Sequence, residues 1–259
     1  MYLWKYWRES RIVFGCGVLV VAILFALVFK EKFSPEMHID AVGLSAGFPT
    51  AFYMLAVVFS LWGWAFGSFG VGRDLGEKSG SFLLCRPRKR GYFIWCDWGY
   101  GLAQLLVLVI LATLVQWYQT HRLIAFAGDA LHGYVQFPNA TIPLISAHLI
   151  TGSAIFLTVA MVFSVTYFFS IVMKHSRGAF LGGVIVVGYI VGRIILHHYW
   201  PAVSLPGFTA PAFIFHPQGL NYFRFDGIAD HLWLKMALYA GVVLLFPIAA
   251  HVLIEKADI

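Results

Sequence analysis

The chain has 259 residues, of which 60% are hydrophobic, 17% aromatic and only 12% charged. A typical soluble domain has about 25% charged residues, and a soluble fold with so few would leave a large apolar surface in water. The composition excludes a disordered chain, a disulfide scaffold and a free nucleic-acid-binding domain, and it indicates an integral membrane protein. The net charge of +6 therefore marks orientation in a lipid bilayer rather than nucleic-acid binding.

Six stretches are apolar enough to be transmembrane helices, since a span needs about 20 mostly apolar residues. These stretches are residues 12–29, 51–71, 99–117, 142–173, 179–196 and 232–254. What remains is too short for a separate soluble catalytic domain of ordinary size. We therefore expect an all-α, polytopic protein in which residues 1–259 form a single transmembrane domain.

The basic residues are distributed unevenly between the two sides of this predicted bundle. Twelve of the 18 Lys and Arg residues lie in the N-terminal segment, in the links after the second and fourth spans, and at the C-terminus. The positive-inside rule places that richer side in the cytoplasm. The sequence thus predicts a multi-pass protein of the plasma or inner membrane with both termini cytoplasmic.

Residues 1–11 have the pattern of a helix that lies at the membrane surface. On a helix, Trp4 and Trp7 share one face, while Lys5 and Arg8 lie toward the other. Tryptophan favours the headgroup level, and basic side chains favour anionic lipid. We predict an interfacial helix that leads into the first span.

Residues 72–98 form a cytoplasmic link of unusual composition between the second and third spans. Acidic Asp74 and Glu77 come first, and a small-residue turn with a Leu-Leu pair follows. Pro87 then interrupts a basic cluster that ends at Arg90. A solvated basic patch would explain the charge but not this order of features.

Residues 199–230 precede the last span and combine four prolines with many apolar and aromatic residues. The segment is too apolar for a water-exposed loop and too interrupted for a regular span. Broken backbone at membrane depth must be shielded by protein or water. We therefore predict a re-entrant or interfacial helical hairpin on the outer side.

Two spans carry glycines at spacings that allow helices to approach closely. The second span contains Gly63 and Gly67, and the fifth contains Gly182, Gly188 and Gly192. The sequence leaves open whether the partner helix belongs to the same chain or to a second copy.

The sequence predicts no catalytic residue, metal or cofactor. No HExxH pair and no P-loop is present. Ten histidines, most of them near the outer side, nevertheless leave two alternatives open. One is an integral-membrane metal-dependent enzyme, and the other is a permease for copper or cofactor maturation. A structural or assembly protein without transport activity is a third.

Taken together, the chain resembles the membrane subunit of an exporter-type ABC transporter of the type-2 permease family. The resemblance covers the six spans, the cytoplasmic termini, the N-terminal interfacial helix, the broken hairpin and the link sequence EKSGSFLLCRPRKR. Within that link, the matching positions are Glu77, Gly80, Phe82, Leu83, Leu84, Pro87 and Arg90.

The resemblance implies mechanical work rather than catalysis in this chain. A separate ATPase subunit would hydrolyse ATP and bind the link at about residues 73–90 and the short link at 173–178. Asp74, Glu77 and Arg90 would make the ATPase contacts. The permease would pair with a second copy or a sibling. The second and fifth spans would line the path of a hydrophobic or amphipathic substrate.

Overall fold

A computed structural model describes residues 2–30, 55–76, 90–127, 134–137, 140–199, 215–218, 221–228 and 231–256. Most of these residues are helical. The helices are α1 (Tyr2–Lys30), α2 (residues 55–67), α3 (Val71–Gly76), α4 (Arg90–Ala127), α5 (Leu144–Val172), α6 (Arg177–Tyr199) and α7 (Leu232–Lys256).

Five helical segments in this part of the chain are long and apolar enough to cross a membrane. They are Trp4–Lys30, Leu55–Gly76, Gly91–Ala125, Leu144–Val172 and Leu232–Lys256. The prediction of a helical, multi-pass membrane protein is confirmed at this level. The remaining predicted span, 179–196, lies within the 23-residue helix α6, whose side chains are described only over the apolar portion Arg177–Tyr189.

Two antiparallel β-hairpins join helices at one end of the bundle. Strand β1 (Tyr134–Phe137) pairs with β2 (Ala140–Pro143), directly before α5. Strand β3 (Phe215–Gln218) pairs with β4 (Asn221–Ile228) ahead of α7.

The prediction of a helical hairpin over residues 199–230 is wrong for the part that the structure describes. Residues 215–218 and 221–228 are strands, and only Tyr199 at the start of the segment is helical. Aromatic residues such as those of Asn221–Ile228 favour a pleated backbone. Pro217 also disfavours a continuous helix there. The rest of the segment lies outside the described residues.

Helices α1 and α4 extend beyond the apolar stretches that the sequence marks. Residues 2–11 are helical, as predicted, and α1 continues without a break into the first span. Helix α4 has 38 residues and begins at Arg90, so the last part of the predicted link 72–98 is already the foot of α4.

Helix α5 lies at the centre of the bundle. In its most apolar stretch, 72% of the residues are buried inside the chain, against 11% in the corresponding stretch of α1. Its fully buried side chains include Ile155, Val159, Phe163 and Tyr167. The outer helices instead expose large apolar side chains, as expected for contact with lipid.

Three of the predicted glycines explain how the neighbouring helices approach α5. A methyl group added at Gly63 would lie 2.8 Å from the Val159 carbonyl oxygen, and one at Gly67 would lie 2.8 Å from the Thr166 Cβ. A methyl group at Gly182 would lie 2.9 Å from the Thr166 Cα. These contacts are tighter than almost any real Cβ makes, so α2 and α6 pack on α5 through glycine.

Both ends of the described chain lie at the same end of the bundle, which we call the link end. Near the N-terminus, Lys5 forms an ion pair with Asp74 of the predicted link. Near the C-terminus, the ring of His251 lies 6.3 Å from that of Trp95 at the foot of α4. At the opposite end, the Arg122 guanidinium donates a hydrogen bond to the carbonyl oxygen of Val28 (2.5 Å).

Candidate functional site at the link end

The structure describes the two segments that flank residues 77–89 of the predicted link. Helix α3 leads into these residues, and α4 leads out of them. Four residues hold the flanks together, and we call Lys5, Gly70, Asp74 and Asp97 the link base. They come from α1, the turn before α3, α3 itself and α4.

Asp97 stabilises the start of α3 from a different helix. Its side chain is 0% exposed, and its Oδ2 accepts a hydrogen bond from the Val71 backbone N–H (2.6 Å). The first N–H groups of a helix have no partner within the helix, and a carboxylate suits the positive end of the helix dipole. Asp97 therefore ties the start of α3 to the foot of α4.

Gly70 makes this contact possible in two ways. Its φ angle is +84°, a backbone conformation that side-chain-bearing residues adopt only at a cost. A methyl group at this position would also lie 2.9 Å from Asp97 Cγ and 3.2 Å from Tyr6 Cε2. The turn thus needs glycine for its conformation and for the space that Asp97 occupies.

The second tie joins α1 to α3. The Lys5 ammonium forms an ion pair with Asp74, whose side chain is almost fully buried at 3% residue exposure. Lys5 also lies 3.8 Å from Glu9, one turn further along α1. A buried carboxylate is costly without a cation, so Lys5 fixes the position of α3 against α1.

The foot of α4 is in turn fastened to α5. The Trp98 indole N–H donates to the Ser164 hydroxyl (2.9 Å), and the Tyr167 hydroxyl donates to the Ile94 carbonyl oxygen (3.3 Å). Ser164 and Tyr167 are fully buried. Buried donors with direct partners hold helices in one register.

Helix α3 also packs against the end of α5 and the turn that follows it. A Cβ at Gly72 would lie 2.6 Å from the Ser170 carbonyl carbon. A Cβ at Gly76 would collide with the Lys174 carbonyl oxygen and lie 3.3 Å from His175 Cα. The two segments predicted to bind an ATPase, the link and the 173–178 turn, therefore touch each other.

Several of the exposed side chains around this contact are basic. Lys174, His175 and Arg177 of the α5–α6 turn are exposed, and so is Arg8 of α1. Lys174 has a φ angle of +49°, which turns the chain sharply between the two helices. The arrangement places positive charge on the surface of the link end and keeps the Asp74 carboxylate buried.

Of the three residues predicted to contact an ATPase, the structure describes the side chain of Asp74. Asp74 is buried and paired with Lys5 rather than displayed on the surface, so the structure gives it a bracing role. Glu77 lies outside the described residues. Arg90 is the first residue of α4, and its side chain also lies outside the description.

The fifth-span glycines differ in their surroundings. Gly182 packs on α5, as described above. Among the described residues, Gly188 has no atom within 4 Å of an added Cβ, so its face of α6 is open within that part of the chain. Gly192 is helical, but its surroundings lie outside the described residues.

The described histidines do not assemble a metal centre. Within the described ranges, no group of three or more His, Cys, Asp and Glu side chains is placed to hold a metal ion. His121 stacks edge-on against Trp117 with ring centroids 4.4 Å apart, and His148 is buried in α5.

Sequence reasoning missed most of the link base. The pattern of residues 1–11 predicts that Lys5 faces the lipid headgroups, and it indicates no contact with the link. The available signal was one carboxylate in an otherwise aromatic and apolar stretch, since such groups inside membrane segments usually have a specific partner. Gly70 carried a second signal as the middle glycine of the sequence GSFGVG.

Comparisons with known proteins place the chain in a family. No curated protein and no solved structure matches it. A family model described as "Protein of unknown function (DUF2705)" matches residues 13–259, a range that includes Gly70, Asp74 and Asp97 of the link base. Since the match covers nearly the whole chain, this protein belongs to the DUF2705 family.

Proposed function

We propose that this chain is the permease subunit of an exporter-type ABC transporter of the type-2 family. A separate ATPase subunit binds ATP and hydrolyses it. The permease has six spans, with α6 as the fifth in chain order, and both termini face the cytoplasm of a plasma or inner membrane. It works with a second copy or a sibling permease.

The observation that carries the proposal is the contact between Gly76 and the turn at Lys174 and His175. The sequence predicts two separate cytoplasmic segments as ATPase contacts, about a hundred residues apart in the chain. Their contact at one end of the bundle offers a partner a single continuous docking surface.

The link base supports a mechanical role for that surface. Helix α3 is tied to α1 through Lys5 and Asp74, to α4 through Asp97, and to α5 through close packing at Gly72. Packed elements of this kind move as rigid bodies rather than deforming continuously. A displacement of the link would therefore reach three spans at once.

The glycine contacts narrow the choice of substrate path. Gly63, Gly67 and Gly182 are occupied by packing on α5, so their faces do not line a path in this conformation. The open face at Gly188 is the better candidate for the path or for the second permease. Its apolar surroundings suit a hydrophobic or amphipathic substrate.

Purification of the tagged chain from native membranes in a mild detergent tests the proposal. We expect a P-loop ATPase to co-purify, with ATPase activity in the sample. Arg177→Glu should lower its recovery about tenfold, the effect of losing roughly 1.4 kcal/mol at the interface. An acidic side chain suits the first turn of α6, so this variant should fold normally.

Lys30→Glu is the matched control. It makes the same charge change on an exposed lysine at the opposite end of the bundle. It should leave the recovery of ATPase unchanged. The proposal fails if intact wild-type chain brings down no ATPase, or if both variants retain it equally.

A further inference from the structure

A seam of buried polar side chains runs between α1 and α4, inward from the link base. The two helices run in the same direction here, and the rings of Tyr6 and Tyr100 meet edge-on with centroids 5.3 Å apart. One turn further in, the Gln104 amide N–H donates to the Ser10 hydroxyl (3.1 Å). Polar groups buried between membrane helices need partners.

The hydrogen-bond directions in this seam follow from Ser10. Its hydroxyl proton is donated to the Tyr6 carbonyl oxygen (2.9 Å), so its oxygen accepts the proton from Gln104 Nε2. Gln104 must therefore turn its Oε1 away from Ser10. That oxygen is buried and has no hydrogen-bond partner among the described residues.

The Tyr6 hydroxyl is the second group of this kind. Tyr6 is 2% exposed, and its hydroxyl also lacks a hydrogen-bond partner in the described part of the chain. It lies 3.0 Å from where a Cβ would stand on Gly101, three residues before Gln104 on the same side of α4. A buried donor and a buried acceptor thus occur on adjacent turns of the same seam.

We propose that a water molecule binds between the Tyr6 hydroxyl and Gln104 Oε1. Buried water typically makes about three hydrogen bonds to polar groups that would otherwise have no partner. A water can accept the Tyr6 proton and donate to Gln104, which matches both groups. A bound cation would match less well, because the Tyr6 proton would still need an acceptor.

This water site distinguishes the contact of α1 with α4 from that of α4 with α5. The α4–α5 contact is made by direct bonds, such as Trp98 to Ser164. The foot of α1 is joined to α4 partly by the direct bond of Gln104 to Ser10 and partly through an exchangeable ligand. The inference stands on the seam alone and is independent of the proposed function.

X-ray radiolytic labelling of the full-length chain in lipid nanodiscs tests the proposal. Radiolysis of a bound water produces hydroxyl radicals beside it, and these oxidise an adjacent tyrosine even when bulk solvent cannot reach the ring. Tyr167 is the internal control, because it is equally buried at 0% exposure and its hydroxyl bonds directly to Ile94. We expect oxidation of Tyr6 roughly fivefold above that of Tyr167 if a water lies within hydrogen-bond reach.

Gln104→Leu removes the acceptor and should reduce the labelling of Tyr6 to the level of Tyr167. The comparison of the two tyrosines within the wild-type chain needs no variant, so the test survives if Gln104→Leu does not fold. Equal labelling of Tyr6 and Tyr167 in the wild type would overturn the proposal. Tyr6 labelling that is unchanged in a folded Gln104→Leu variant would also overturn it.

Discussion

Replacing Gly70 by alanine tests the physical account of the link base most directly. The alanine would have to keep the positive φ angle of +84°. Its methyl group would also enter the space of the Asp97 carboxylate. The carboxylate would have to move, and its hydrogen bond to the Val71 N–H would be lost. One methyl group thus disturbs the backbone and the tie between α3 and α4 together.

The expected loss can be worked out from these two terms. Left-handed backbone costs a side-chain-bearing residue about 1–2 kcal/mol. A buried hydrogen bond to a charged group contributes about 1.5–3 kcal/mol. We therefore expect Gly70→Ala to lower the free energy of unfolding by about 2.5–5 kcal/mol. This corresponds to a fall in Tm of about 5–20 °C for a chain of this size.

Thermal denaturation of the purified variant in detergent, followed by size-exclusion chromatography, measures this effect. Gly99→Ala in α4 is the control, because a Cβ there meets no atom of the described residues within 4 Å and alanine favours the helix. Combining Gly70→Ala with Asp97→Ala should add little to the loss from Asp97→Ala beyond the backbone term. A Tm of Gly70→Ala within about 2 °C of wild type would refute the reasoning.

Two further predictions use the same thermal assay. Lys5→Met leaves the buried Asp74 without its cation and should lower the free energy of unfolding by about 2–3 kcal/mol. Adding Asp74→Leu should restore part of that loss. A double variant less stable than Lys5→Met would contradict the ion-pair account. Gly67→Val forces a side chain into Thr166 and should lower the free energy of unfolding by about 2–3 kcal/mol. Gly188→Ala should leave the stability nearly unchanged. Equal effects of the two variants would contradict the packing account.

The helical, membrane-spanning character of the fold follows from composition and run length alone. Apolar runs near 20 residues leave a helix as the main solution in lipid, because every backbone group must be satisfied within the segment. The spacing of Gly63 and Gly67 likewise predicts close packing of two helices, and the structure identifies α5 as the partner of α2. Periodicity cannot name that partner, since any apolar helix would accept the same face.

The link base could not be predicted because its contacts are distant in the chain. Lys5 and Asp74 are 69 residues apart, and Val71 and Asp97 are 26 apart. Each looks ordinary in its own segment, the lysine as a headgroup contact and the aspartates as link residues. The hairpin before α7 was misjudged for a local reason, since prolines and aromatic residues occur in both broken helices and strands.

Comparison with helix α5 shows why the polar contacts at the link end, rather than the number of buried polar groups, couple the movement of one helix to another. Its buried Thr151 and Thr158 donate hydrogen bonds to carbonyl oxygens of their own helix, at 2.6 and 2.9 Å. Such bonds satisfy the hydroxyls without fixing a neighbour. The bonds of Lys5 and Asp97, by contrast, are made between elements, so moving α3 must either carry α1 and α4 with it or break buried polar contacts. A partner that pushes on the link would therefore act on the helices themselves rather than bend a loop.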